Sequence, residues 1–168
     1  MADLVDLTLA KAHLRKLDTT EDTLIETYID SSRGWVEDYL GVAFEETEET
    51  VTFPAWGDYL SIFKRPLIEV GEITYTDIGG ADVAFADYTL ATGIYPARIY
   101  PVTAFPELGT NGTITVALTY GYDDGEIPAQ LVQAQLVLLA GLYENRGALS
   151  EDAVRAAKAL CNKTPGLA

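Results

Sequence analysis

At 168 residues, 48% of them hydrophobic, the chain can make one domain, or one domain with a sizeable insertion, that buries its core without a disulfide or metal staple. Its 26 acidic against 11 basic residues leave a formal net charge of −15, which repels phosphate backbones and argues against nucleic-acid binding driven by counterion release. The single cysteine, Cys161, excludes an internal disulfide, and the opening MADLVDLTLAKAHLRK lacks the basic region and apolar stretch of a secretory signal. A reducing compartment, or an assembly made in one, is therefore expected, and the glycosylation-like triplets Asn111-Gly112-Thr113 and Asn162-Lys163-Thr164 read as chance.

Thr8 suits the cap of a short helix reaching about Leu17, with Leu9, Ala12, His13, Leu14 and Leu17 at helical spacing. Asp18-Thr19-Thr20 breaks that pattern and caps a second helix, with Glu21 and Asp22 in the first turn where the helix dipole favours them. This helix runs to Leu40 and stops at Gly41. Leu24, Ile25, Tyr28, Ile29, Ser32, Trp35, Val36 and Tyr39 form its apolar stripe, while Glu26, Asp30, Arg33 and Glu37 line the opposite face.

From Val42 to about Tyr122 the period falls toward two, in segments 50–53, 59–63, 72–76, 88–90, 98–100 and 113–120. Turn signals separate them at Pro54, Gly57-Asp58, Ile78-Gly79-Gly80, Gly93, Pro96, Pro101 and Thr110-Asn111-Gly112. Short β-rich segments at this spacing predict an antiparallel sheet or small sandwich. The acidic entry, Glu45-Glu46-Thr47-Glu48-Glu49, reads as a solvated or edge strand kept from pairing by its charge.

From Pro128 to Tyr143 the chain runs PAQLVQAQLVLLAGLY without a charge, then ends at Glu144-Asn145-Arg146-Gly147. Pro128 suits the first helical position and Gly147 a left-handed stop. Leu131, Val132, Leu136, Val137, Leu138, Leu139, Leu142 and Tyr143 point nearly all round, so the helix must be covered on most of its circumference. At ~1.5 Å per residue it is roughly 24 Å long, and it falls short of the ~20 residues a membrane span needs. Two coverings are open: the helix is central to its own domain, or one side is buried by the same chain and the other by a neighbouring subunit. Ser150-Glu151-Asp152 caps a last helix to about Asn162, which Thr164-Pro165-Gly166 ends.

The chemistry of a catalytic site is missing. A serine or cysteine hydrolase needs a base beside its nucleophile, and the one histidine, His13, sits among basic residues on a short amphipathic helix. Cys161 reads as a small buried thiol. No GxSxG, GxxxxGK[ST], GxGxxG or HExxH occurs. Asp123-Asp124-Gly125-Glu126 lacks the alternating spacing of a calcium loop and reads as a turn. No cofactor or metal is expected, and the ten tyrosines, with Trp35 and Trp56, suit core or protein interface better than a sugar platform.

Several pieces, in this order, resemble the tailed-phage head–tail connector (adaptor) family and its relatives in gene-transfer particles. They are Leu7-Thr8-Leu9-Ala10-Lys11-Ala12-His13-Leu14-Arg15, Glu21-Asp22, Val36-Glu37-Asp38-Tyr39-Leu40-Gly41, Arg65-Pro66-Leu67-Ile68-Glu69-Val70, Ile73-Thr74-Tyr75, Tyr120-Gly121-Tyr122 with Ile127-Pro128, and Gln133-Ala134 through Leu142-Tyr143-Glu144-Asn145-Arg146-Gly147. The resemblance covers roughly residues 5 to 148 and is to the members that carry a β-domain between their helix pairs. It implies an α+β fold, a bundle of about four helices with an antiparallel β insertion between the second and third. Residues 1–41 and 123–168 would form the discontinuous helical domain and 42–122 the β-rich insertion.

The implied function is architectural: a non-enzymatic virion protein at the head–tail junction, assembled in a bacterial host cytoplasm. Family members form a ring with themselves, typically dodecameric, beneath the portal protein and join it to a stopper or tail-completion protein. DNA passes through the lumen only as non-specific cargo, and no membrane is involved. Leu131, Val132, Leu136, Leu139 and Tyr143 are the expected core and subunit interface. Leu160, Lys163, Pro165 and Leu167 are the expected portal-docking residues, since connectors of this type commonly dock by that end. Another structural role (tail terminator, baseplate or capsid accessory protein) shares the composition, and a carbohydrate-binding module on the β insertion is the remaining alternative.

Overall fold

The computed structural model describes residues 5–122 and 127–164. They form an α+β fold: four helices, with antiparallel sheets inserted between the second and third. The chain divides into two compact units, Met1–Val42 with Asp123–Ala168, and Ala43–Tyr122.

In the first unit, α1 (Leu7–Leu14) starts where the Asp6 carboxylate accepts the Leu9 N–H at 2.6 Å, so Asp6 rather than Thr8 is the cap. It ends at Arg15, in the left-handed region with φ 56°, short of the expected Leu17, which is 98% exposed. Lys11 then reaches Asp22 at 2.5 Å and ties α1 to the start of α2 (Asp22–Leu40). Asp18 does not cap α2; its carboxylate turns back on Thr20, and α2 begins without a side-chain cap. The centre of the apolar stripe is buried, at Ile25, Ile29, Ser32, Val36 and Leu40, while Leu24 and Tyr39 at its margins are exposed. Pro128 is the cap of α3 (Ala129–Glu144) rather than its first residue. The Gly147 N–H closes the helix end on the Leu142 carbonyl at 2.7 Å. α4 (Glu151–Cys161) is capped by Ser150, whose hydroxyl accepts the Ala153 N–H at 3.2 Å.

The second unit is a small sandwich. One sheet has the order β1-β7-β3-β4, from β1 (Thr47–Phe53), β3 (Leu67–Thr76), β4 (Asp82–Ala84) and β7 (Ile114–Tyr120). The other has the order β2-β6-β5, from β2 (Leu60–Ile62), β5 (Tyr88–Ala91) and β6 (Ala97–Pro101). Alternate residues of both sheets (Leu60, Ile62, Ile73, Ile99, Ile114 and Val116) meet in a shared core. The acidic entry is an edge strand, but its charge keeps only the first part out of the ladder. β1 pairs with β7 from Thr47 on and lies at a sheet edge, and Glu49 within it meets Lys64 at 2.6 Å and accepts the Tyr120 hydroxyl at 2.6 Å. β4 has no sequence signature; all three residues are exposed, and it is held by pairing with the end of β3 and by Thr76 donating to Asp82. Gly121 turns at φ 115° and donates its N–H to the Pro66 carbonyl at 2.8 Å, where a Cβ would stand 2.1 Å from the Glu45 carbonyl oxygen.

Candidate functional site

The uncharged helix α3 is covered within one chain. Leu131, Leu138 and Leu139 have no exposed surface, and Leu136 and Leu142 are buried. Leu136 and Leu139 join Val5, Ala10, Ile25 and Ile29 in one cluster, with Val132 and Tyr143 half-buried at its margin. On the α4 side the backbones come close at Gly141, where a Cβ would lie 2.9 Å from that of Ala153. Gln135, one of the three glutamines that break the apolar run, is itself buried, and its Nε2 donates to the Ile29 carbonyl at 3.2 Å. The Tyr143 hydroxyl donates to Glu21 at 2.5 Å, and Lys16 joins them, 3.1 Å from Glu21 and above the Tyr143 ring. Tyr143 first, and then Lys16, hold the Glu21 carboxyl below the usual carboxylate range.

Of the expected docking residues, Leu160 is half-buried on α4 and Lys163 is exposed beyond its end, while Pro165 and Leu167 lie outside the described residues. This end of α4 is fastened to α2: Tyr39 donates to Asn162 at 3.2 Å, stacks on Trp35 and carries Lys158 over its ring. An open depression of about 320 Å³ lies along α4, lined by Leu149, Glu151, Val154, Arg155 and Lys158.

The residues with chemical potential stand apart from one another. His13 is exposed on α1, and burial pushes the buried Cys161 thiol up, away from a reactive thiolate. Among the described residues, no three His, Cys, Asp or Glu side chains group to hold a metal ion. The acidic run 123–126 lies outside them. Trp56 is stacked on Phe105 at 4.3 Å and packed by Tyr75 and Phe85, so its ring is spent in the sandwich core.

One surface was not anticipated. On the three-stranded sheet Leu60, Ile62, Ala97 and Ile99 point inward, so the alternate residues Tyr59, Ser61, Arg98 and Tyr100 form the outer face. The Arg98 guanidinium lies 4.4 Å from the Tyr59 ring centroid and donates to the Tyr100 hydroxyl at 3.4 Å. No carboxylate of the described residues pairs with it, and its Nε is buried without a hydrogen-bond partner. Lys11, Lys16, Arg33, Lys64 and Arg155, by contrast, each hold a carboxylate. The alternation Arg98-Ile99-Tyr100 was the signal available in the sequence; what it lacked was the register that sets Arg98 opposite Ser61 and Ala91.

Chains of known structure share this fold. In the virion of a native gene transfer agent (GTA) particle, a chain is 22% identical with a TM-score of 0.75, and the match covers 94% of this chain and 87% of that one. In the neck of an empty GTA particle computed with C6 symmetry, the identity is 22%, the TM-score 0.74 and the coverage 92% and 87%. In the neck of a native GTA particle computed with C12 symmetry, the values are 21%, 0.68, and 93% and 90%. No protein-family model and no curated protein sequence matches the chain.

Proposed function

We propose that the chain is a structural neck protein of a virion or virion-like particle, a head–tail connector. It would assemble with copies of itself into a ring, dodecameric in this reading, beneath a portal protein and join it to a stopper or tail-completion protein, with DNA passing through the middle. The observation that carries this is the fold shared over more than nine-tenths of the chain with chains from GTA virions and necks, two of them computed with C6 and C12 symmetry.

The physical properties suit that role. A net charge of −15 repels the DNA phosphates and so favours sliding over adhesion, provided enough of the acids line the lumen. Leu136 and Leu139, with the buried Leu131, serve as core on which the ring surfaces are mounted, while the half-buried Val132 and Tyr143 keep surface for a neighbour. The end of α4, with Leu160 and Lys163 and then Pro165 and Leu167, is assigned to the portal. In this role the chain turns over no substrate.

The test is the mass of the chain by light scattering, alone and mixed with the portal protein of the same particle. A ring-sized mass, or co-elution with portal in a fixed multiple, is expected. A monomer that ignores the portal, or that binds tail tube or capsid instead, overturns the connector in favour of another structural role.

A further inference from the structure

We infer that the outer face of the β2–β6–β5 sheet, centred on Arg98, is a docking surface for a second copy of this chain, and that it receives the carboxylates of the neighbour's β1 edge. The inference rests on the ring reading and names the two surfaces that meet in it. A ring is closed by heterologous contacts, so one patch must fit a different patch of the same molecule.

The receiving patch has the composition of an interface centre, Tyr and Arg with little competing charge. The Arg98 guanidinium lies 4.4 Å from the Tyr59 ring centroid and donates to the Tyr100 hydroxyl, and the two rings pack on each other at 5.4 Å, so its fork is held in place before anything binds. The residues across from it on both flanking strands, Ser61 and Ala91, are small, and Arg98 is half-buried rather than enclosed. The patch continues apolar: Phe63 is 63% exposed, and Tyr95 packs edge-on against it at 6.3 Å while donating to its carbonyl. The ligand chemistry follows from the fork and the two hydroxyls, which call for a planar anion with several acceptors; a carboxylate is one.

The chain itself carries the complementary patch. Among the described residues β1 is an edge strand paired on one side only, with Glu46 just before it and Glu48 within it exposed to solvent, whereas Glu49 is spent on Lys64 and Tyr120. The edge belongs to the other sheet of the sandwich, across the core from the Arg98 face. The two patches therefore lie on different sides of one unit, as a head-to-tail contact requires and a face-to-face dimer does not.

The test is a charge swap read by sedimentation of the full chain over a wide concentration range. Arg98→Glu, and separately Glu46→Arg with Glu48→Arg, should each weaken self-association about tenfold or more. Combining all three should restore it to within about threefold of the unaltered chain. Arg98→Gln, which removes the charge without reversing it and stays polar, guards against misfolding and should also weaken association while leaving the thermal melt in place. If the unaltered chain assembles and the variants assemble equally well, or the combined variant is not rescued, this pairing is overturned and the ring reading stands on another surface. If the unaltered chain stays monomeric throughout, a second copy is not the occupant, and the neck reading is decided by co-assembly with the portal protein.

Discussion

Gly141→Ala pits two effects of known size against each other. In a helix interior, alanine is favoured over glycine by about 1 kcal/mol, so on propensity alone the substitution stabilises. The new Cβ would stand 2.9 Å from the Ala153 Cβ, whereas carbon atoms in contact sit ~3.5–4.0 Å apart. Both atoms are anchored directly to backbone, so no side-chain rotation relieves the overlap; α3 and α4 must separate by roughly 0.6 Å or more. Overpacking of this kind costs about 1–3 kcal/mol, which exceeds the propensity gain at its midpoint. A net loss of about 1 kcal/mol is expected, measured by urea denaturation followed at 222 nm, where the helical unit dominates. Ala153→Gly on the same chain removes the facing atom, so the pair should show favourable coupling of about 1 kcal/mol or more in a double-mutant cycle. A Gly141→Ala protein stabilised by about 1 kcal/mol, with no coupling to position 153, would refute the close crossing of the two helices.

Leu139→Asp places a carboxylate at a fully buried position of α3 and should cost more than about 4 kcal/mol, with loss of the helical signal; a folded variant with an unchanged melt would mean the helix is not enclosed. Gly121→Ala forces a Cβ into the Glu45 carbonyl at a positive φ and should destabilise the β unit by at least about 3 kcal/mol, read from the Trp56 fluorescence transition. Lys64 and then Tyr120 hold the Glu49 carboxyl low, so its contribution is present above the ordinary carboxylate pKa of about 4.3 and is lost as pH falls through the lower folded value. Glu49 first raises the Lys64 pKa, so that contribution is present below about 10.4 and is lost as pH rises through the higher folded value. Glu49→Gln should flatten both limbs of the urea midpoint against pH, and unchanged limbs would remove the pair from the stability balance.

What was legible in the sequence followed strong periodicity. The stripe on α2 and the uncharged run of α3 each predict a helix, and both end near their glycines, because cap chemistry and burial agree there. α1 starts ahead of Thr8 because Asp6, two residues earlier, offers the carboxylate that takes the Leu9 N–H, and it stops before Leu17 because Arg15 turns left-handed. β4 was invisible because no residue in it is buried, so the period that marks a strand has nothing to record. Composition leaves the covering of α3 open between two sources, since it says how much of a helix must be buried but not by what. Arg98 is hidden for a related reason: Tyr100 shares its strand face by alternation, but Tyr59 and Ser61 are brought to it by strand register, and register is a property of pairing rather than of either strand.

Under the proposed reading, a contact centred on Arg98 sets how a ring responds to salt. Copies carrying −15 each repel one another over long distances, and that repulsion is screened first, since the Debye length is already about 10 Å at 0.1 M. The Arg98–carboxylate contact acts at hydrogen-bond distance and is weakened only as the Debye length approaches about 3 Å near 1 M. Self-association should therefore rise with added salt, pass through a maximum and then fall. Each contact is weak alone, but the one that closes a ring forms at the high effective concentration its neighbours impose, so assembly should be steep in protein concentration as well. Sedimentation across a salt series reads this directly. Association that strengthens steadily up to 1 M and beyond would place the ring contact on an apolar surface and remove Arg98 from it.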